Sequence, residues 1–180
     1  MSEASMESKL VAEALGVFAL TFIGAGTIIV GGLSGNDAQL LTVAIAHGLV
    51  LAIAVSATMN ISGGHINPAV TIAFLITGRI DATTAGMYVV AQLVGGVVAG
   101  GILFFIFGEG SMGGTPAPGV LEGVTITSSK VVVIEIALTF LLMFAIMGTA
   151  VDSRAPAIGG WGIGLMVAAD IMMGGPLTGA

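Results

Sequence analysis

Residues 60–71 read Asn60-Ile61-Ser62-Gly63-Gly64-His65-Ile66-Asn67-Pro68-Ala69-Val70-Thr71. The stretch separates two long apolar runs and opens a third that is too short to cross a membrane. Asn67 suits a helix N-cap, and Pro68 suits the first helical position because it has no N–H to leave unpaired. The apolar residues from Pro68 to Thr77 stop at Gly78-Arg79. As a helix they span roughly 15 Å, about half of a bilayer core. A capped half-helix at membrane depth is tolerated only where it lines a cavity or is buried in protein. The stretch therefore predicts part of a pathway through a membrane.

Composition agrees. Hydrophobic residues make up 56% of the chain and charged residues 8%, against about 25% charged in soluble domains. Mean hydropathy is +1.13. These values predict an all-α integral membrane protein. The net charge of −6 implies no nucleic-acid partner. With no cysteine, disulfides, thiolate metal sites and cysteine nucleophiles are excluded. No metal or cofactor is expected, and no arrangement of Ser, His and Asp suggests an enzyme. Glycine, at 29 residues, is abundant enough to let membrane helices pack closely.

The apolar runs are Leu10–Leu33, Leu40–Met59, the half-run Pro68–Thr77, Ala82–Phe107, Val131–Ala150 and Ala157–Met173. All but the half-run are near spanning length. The acidic segment before Leu10 lacks a cleavage site, so the first run is expected to be a retained span. Gly108–Lys130, rich in Gly, Pro, Ser and Thr, divides the chain. With the N-terminus cytoplasmic, Lys9, Arg79 and Arg154 fall inside and only Lys130 outside, the orientation that positive charge favours.

An internal repeat is visible. Glu13-Ala14-Leu15-Gly16-Val17-Phe18, followed by Phe22, resembles Glu135-Ile136-Ala137-Leu138-Thr139-Phe140, followed by Phe144. Gly48-Leu49 matches Gly164-Leu165, and Ser62-Gly63 matches Thr178-Gly179, in the same order. The first unit (about 10–107) holds an odd number of spans, so the second (about 131–180) starts on the opposite face: an inverted repeat. In the second unit the counterpart of Asn67 would fall beyond Ala180. The 180 residues are therefore expected to be part of a longer six-span protein, with an incomplete pore if taken alone.

Ser62–Thr71 resembles the first signature loop of the aquaporin (major intrinsic protein) family. Glu13 in the first span, Tyr88-Val89-Val90-Ala91-Gln92-Leu93-Val94-Gly95 in the third, and Pro176-Leu177-Thr178-Gly179-Ala180 extend the likeness over the whole chain as a single channel domain, 1–180. The second Asn-Pro-Ala and the arginine that follows it in the family are absent. The resemblance implies six spans with two half-helices meeting at the midplane, of which five spans and one half-helix are present here. It also implies a homotetramer in membrane lipid with one pore per subunit. Asn67, Pro68 and Ala69 would form the signature loop. The outer constriction would include His47, Ile171 and Ala180, a set similar to that of plant tonoplast intrinsic proteins. That set implies passage of water and leaves ammonia, urea or hydrogen peroxide open as further solutes; glycerol is disfavoured.

Other residues have structural readings. Glu13 and Glu135, at matched positions, are expected to accept backbone N–H bonds from the two non-helical loops, although intramembrane carboxyls also serve as proton carriers. His65 is expected to brace the motif loop and Gln92 to bridge helices. Asp170 is a candidate for bracing the second loop. The rival functions are an inverted-repeat secondary transporter and a non-conducting structural membrane protein.

Overall fold

The computed structural model describes residues 4–34, 40–121 and 123–179. Ser5 opens the first helix, α1 (Met6–Leu33), its hydroxyl accepting from the Ser8 N–H. This cap starts the helix before the apolar run at Leu10. Then follow α2 (Leu40–Thr58), the half-helix α3 (Pro68–Ile76), α4 (Ala82–Phe107), α5 (Ser128–Ile146) and α6 (Trp161–Thr178). Among the described residues, five segments are long and apolar enough to cross a membrane: Met6–Leu33, Leu40–Thr58, Ala82–Gly114, Ser128–Val151 and Trp161–Thr178. Their outward faces are apolar and open, as at Val97, Phe105, Phe140 and Phe144. This is the surface a bilayer would cover.

Two elements differ from the sequence expectation. Helix α6 continues past Met173 and through Pro176 to Thr178, ending at Gly179 with φ of 81°. A proline in the last turn removes only one ladder bond, so the helix tolerates it. The connector after α4 is structured as well. It forms a 3₁₀ turn (Gly108–Gly114) and a short ladder of β1 (Val120–Leu121) with β2 (Val124–Thr125), in which Val120 faces Thr125. It is tied to the end of α6 by Gly119 N–H to Leu177 O at 2.8 Å.

Close packing of small residues joins the two halves. A Cβ at Gly48 on α2 would stand 2.6 Å from the Gly164 carbonyl oxygen and 2.9 Å from Ala168 Cβ. Reciprocally, a Cβ at Gly164 on α6 would meet the Gly48 carbonyl and stand 2.7 Å from Ala52 Cβ. Gly48 and Gly164 are the residues matched in the repeat, and Ala52 and Ala168 stand at the same offset. A contact in which residue i meets j while j's counterpart meets i's is the mark of a two-fold axis. The pseudo-axis of the inverted repeat thus passes through the α2–α6 crossing. On the other side of α2, α1 lies against α4, with Gly95 fitted onto the Ala14 carbonyl. At the α5–α6 turn, Gly160 N–H donates to Ser56 Oγ at 2.9 Å, and Arg154 holds the exposed Asp152 carboxyl below the usual carboxylate range.

Gly48→Leu should separate α2 from α6 and lower stability by about 1–3 kcal/mol. Gly86→Leu, at a position where a Cβ meets nothing, should be neutral. Denaturation of the detergent-solubilised protein, followed by tryptophan fluorescence, checks the difference.

Candidate functional site

The backbone between α2 and α3 turns back on itself inside the bundle. Gly63 (φ 93°), Gly64 (φ 63°) and Ile66 (φ 49°) all take left-handed conformations. Glycine does so freely; a β-branched isoleucine does so only where its surroundings enforce it. Ile66 is buried, with its side chain seated directly on Gly16 of α1.

What enforces the loop is Glu13. Its carboxylate, fully enclosed at 0% exposure, accepts from Ser62 Oγ at 2.6 Å, His65 N–H at 3.0 Å, Ile66 N–H at 2.7 Å and Gln92 Nε2 at 2.8 Å. Every partner is a donor, so the group acts as an acceptor at both oxygens. Gln92 Nε2 also donates to Thr71 Oγ1 at 3.0 Å, and Tyr88 donates to Ser62 O at 2.8 Å. His65 Nδ1 lies 3.1 Å from Thr71 Oγ1, and its ring packs between Phe74 and Tyr88. Three spans or half-spans are thus pinned to one loop. Gln92 Oε1 is the buried side-chain atom left without a partner among the described residues.

Asn67 emerges from this frame as the N-cap of α3. Its Oδ1 accepts from Ala69 N–H at 2.8 Å, with Pro68 at the first helical position. That bond orients the amide. Among the described residues no acceptor is paired with Nδ2, and Asn67 lines a cavity of about 440 Å³. Gly63, Gly64, His65 and Ile66 line the same cavity. Their carbonyl oxygens accept no hydrogen bond from the described residues. Four carbonyls without a partner among the described residues thus precede the Asn67 amide, all in residues that line the cavity.

The remaining sequence-predicted residues are distributed as follows. His47 lines this cavity and also a second one, of about 480 Å³, lined by Thr21, Ala25 and the Gly113–Ala117 connector. It stands at their junction with Leu20. Its Nδ1 lies 2.8 Å from Val43 O, and its ring presses on Gly24, where a side chain would overlap it. Ile171 lines the first cavity while packing on Ala44 and Ala168. Ala180 lies outside the described residues. Glu135 reaches the cavity wall, but no loop donor among the described residues is paired with it. By the repeat, the N–H groups matching those of His65 and Ile66 would fall beyond Ala180, outside the described residues. Asp170 lines the same cavity. The left-handed turn of the loop was missed from sequence. The Gly63-Gly64 pair is the signal that could have found it, since glycine takes positive φ freely. Among the described residues no group of His, Asp and Glu could hold a metal ion.

The sequence matches the family described as major intrinsic protein over residues 1–180. The chain belongs to the major intrinsic protein family. It is 40% identical over 187 residues to aquaporin TIP4-4 of Zea mays, covering 99% of this chain and 72% of that protein. It is 41% identical over 175 residues to nodulin-26 of Glycine max, covering 96% and 62%. The chain thus spans less than two thirds of the length of some family members it matches. Its fold is similar to that of the aquaglyceroporin from Plasmodium falciparum, with a TM-score of 0.80 at 21% identity, over 97% of this chain and 75% of that one.

Glu13→Gln would turn a donor toward donors in an enclosed site. It should cost about 1–3 kcal/mol for each N–H or O–H left unpaired. Ser62→Ala, which removes one hydroxyl, should cost less. Thermal unfolding of both purified variants checks the order.

Proposed function

We propose that the protein is a passive channel that conducts water, and small neutral solutes such as ammonia, urea or hydrogen peroxide, across a membrane. The observation that carries this reading is the Asn67 amide. Its oxygen is committed to the helix cap and its nitrogen is left to the cavity. A water moving along the carbonyls of residues 63–66 donates to them, then turns its oxygen to Asn67 Nδ2. The α3 N-terminus, equivalent to roughly half a positive charge, favours that orientation and repels hydronium and cations. Small neutral molecules pass without either penalty.

A coupled transporter would need a carboxyl that exchanges protons with the pathway. Glu13 is sealed from solvent and holds donors on both oxygens, which takes it out of that role. Glu135 and Asp170 line the cavity, and the response of flux to sodium and proton gradients decides for them. The constriction is assigned to His47 with Ile171, because His47 stands where the two cavities meet. The N-terminus is placed in the cytoplasm, on the side rich in Lys and Arg. The assembly is a homotetramer, a reading supported by family membership and by the apolar outer faces.

In stopped-flow assays, proteoliposomes should shrink faster than protein-free liposomes under an osmotic gradient, with no dependence on sodium or proton gradients. Equal rates would overturn the channel reading. His47→Ala should widen the junction and raise the urea-to-water permeability ratio several-fold; an unchanged ratio would remove His47 from the constriction. Asn67→Asp keeps the cap oxygen and loses the donor, so water flux should fall while the protein remains folded.

A further inference from the structure

The His47 ring has a seat on the neighbouring span. Its Nδ1 lies 2.8 Å from Val43 O. A carbonyl only accepts, so Nδ1 is the donor of that bond and ties one edge of the ring to α2. The other edge meets α1 at Gly24, which is buried. A Cβ at Gly24 would overlap Nε2 and stand 2.5 Å from Cδ2 and 2.8 Å from Cε1. The ring thus fills the volume that any other residue at 24 would need. The fold itself does not require glycine at this station. By the offsets that match Glu13 to Glu135 and Gly48 to Gly164, Gly24 corresponds to Ile146 and His47 to Ile163. Both isoleucines are buried in one apolar cluster. The second repeat therefore carries a full side chain at this station of α5, where the residue matching His47 is aliphatic.

We propose that Gly24 is the positioning residue for His47: its missing side chain seats the ring against α1 and so sets the width of the constriction. The assignment rests on the placement of His47 at the constriction. Gly24 acts through the ring and need not touch the solute. Non-bonded carbons settle about 3.5 Å apart, so a methyl at 24 would drive the ring about 1 Å off its seat. The bond to Val43 holds the opposite edge, so the displaced ring turns into the lumen that it lines. Pore width governs the passage of neutral solutes. Urea is larger than water and loses more when the lumen narrows.

The test is the urea-to-water permeability ratio of proteoliposomes carrying the unsubstituted protein, Gly24→Ala, His47→Ala and the double variant. Gly24→Ala should lower the ratio about tenfold, the low end of what one methylene does to discrimination in a fitted pocket. The double variant should match His47→Ala within about twofold, because a methyl that acts only through the ring then has nothing to move. An unchanged ratio in Gly24→Ala overturns the assignment, as does an equal fall in both backgrounds. Thermal unfolding of the same samples adds a second check. A Gly24→Ala protein that does not fold also overturns the assignment, because the methyl then breaks the packing instead of turning the ring. No urea flux through a water-conducting unsubstituted protein overturns it too, since the seated ring is then already closed to urea. A His47→Ala ratio equal to that of the unsubstituted protein removes the constriction reading and this inference with it, and leaves the channel reading intact. An unsubstituted protein that conducts no water removes all three.

Discussion

The Glu13 carboxylate is the interaction on which the rest of this structure depends. A non-helical loop inside a membrane bundle carries N–H groups that lipid cannot satisfy, each costing several kcal/mol if left unpaired. Here one enclosed carboxylate takes the two critical N–H groups, a serine hydroxyl and a glutamine amide. The donors on one side of the loop are thereby consumed. The carbonyls of Gly63, Gly64, His65 and Ile66 stay without a partner among the described residues, in a segment that lines the cavity. The carboxylate's position on α1 also links the loop to the span that packs against α4, so loop geometry and bundle packing stabilise each other.

The second constraint is the α2–α6 crossing. Gly48 and Gly164 let two backbones touch, and the reciprocal fit with Ala52 and Ala168 fixes their rotation. That rotation places His47, one residue from Gly48, at the junction of the two cavities. Ile171 and Asp170, on the same helix, line the cavity that Asn67 lines. Small residues in the contact thus set where the large and polar ones stand. Membrane helices gain little from burying apolar area against one another, so close packing of this kind supplies the specificity.

Much of this was legible in the sequence. Asn67-Pro68 at the head of a short apolar run gave away the half-helix, because cap chemistry and length are local properties. Glu13 was legible as an isolated carboxyl in an apolar span, which must have a partner. The repeat matched Gly48 to Gly164, the pair that meets at the α2–α6 crossing. Other features were not legible. Nothing local marks Ile66 as left-handed; its φ of 49° is imposed by Glu13 and by the space above Gly16. Helix α6 outran its expected end because Pro176 costs little in a last turn. The connector after α4 reads as a loop by composition. It gains order from Gly119 and Gly114, which dock on the end of α6 and on α1, and such long-range contacts leave no periodic trace.

On this account a buried carboxylate holds the motif loop as firmly as a helix holds its own backbone. Hydrogen exchange at the His65 and Ile66 amides, measured site by site in lipid-reconstituted protein, tests it directly. The expected result is protection comparable to the interior amides of α1 and α4, although neither residue belongs to a helix. Exchange at the rate of an open loop would contradict it.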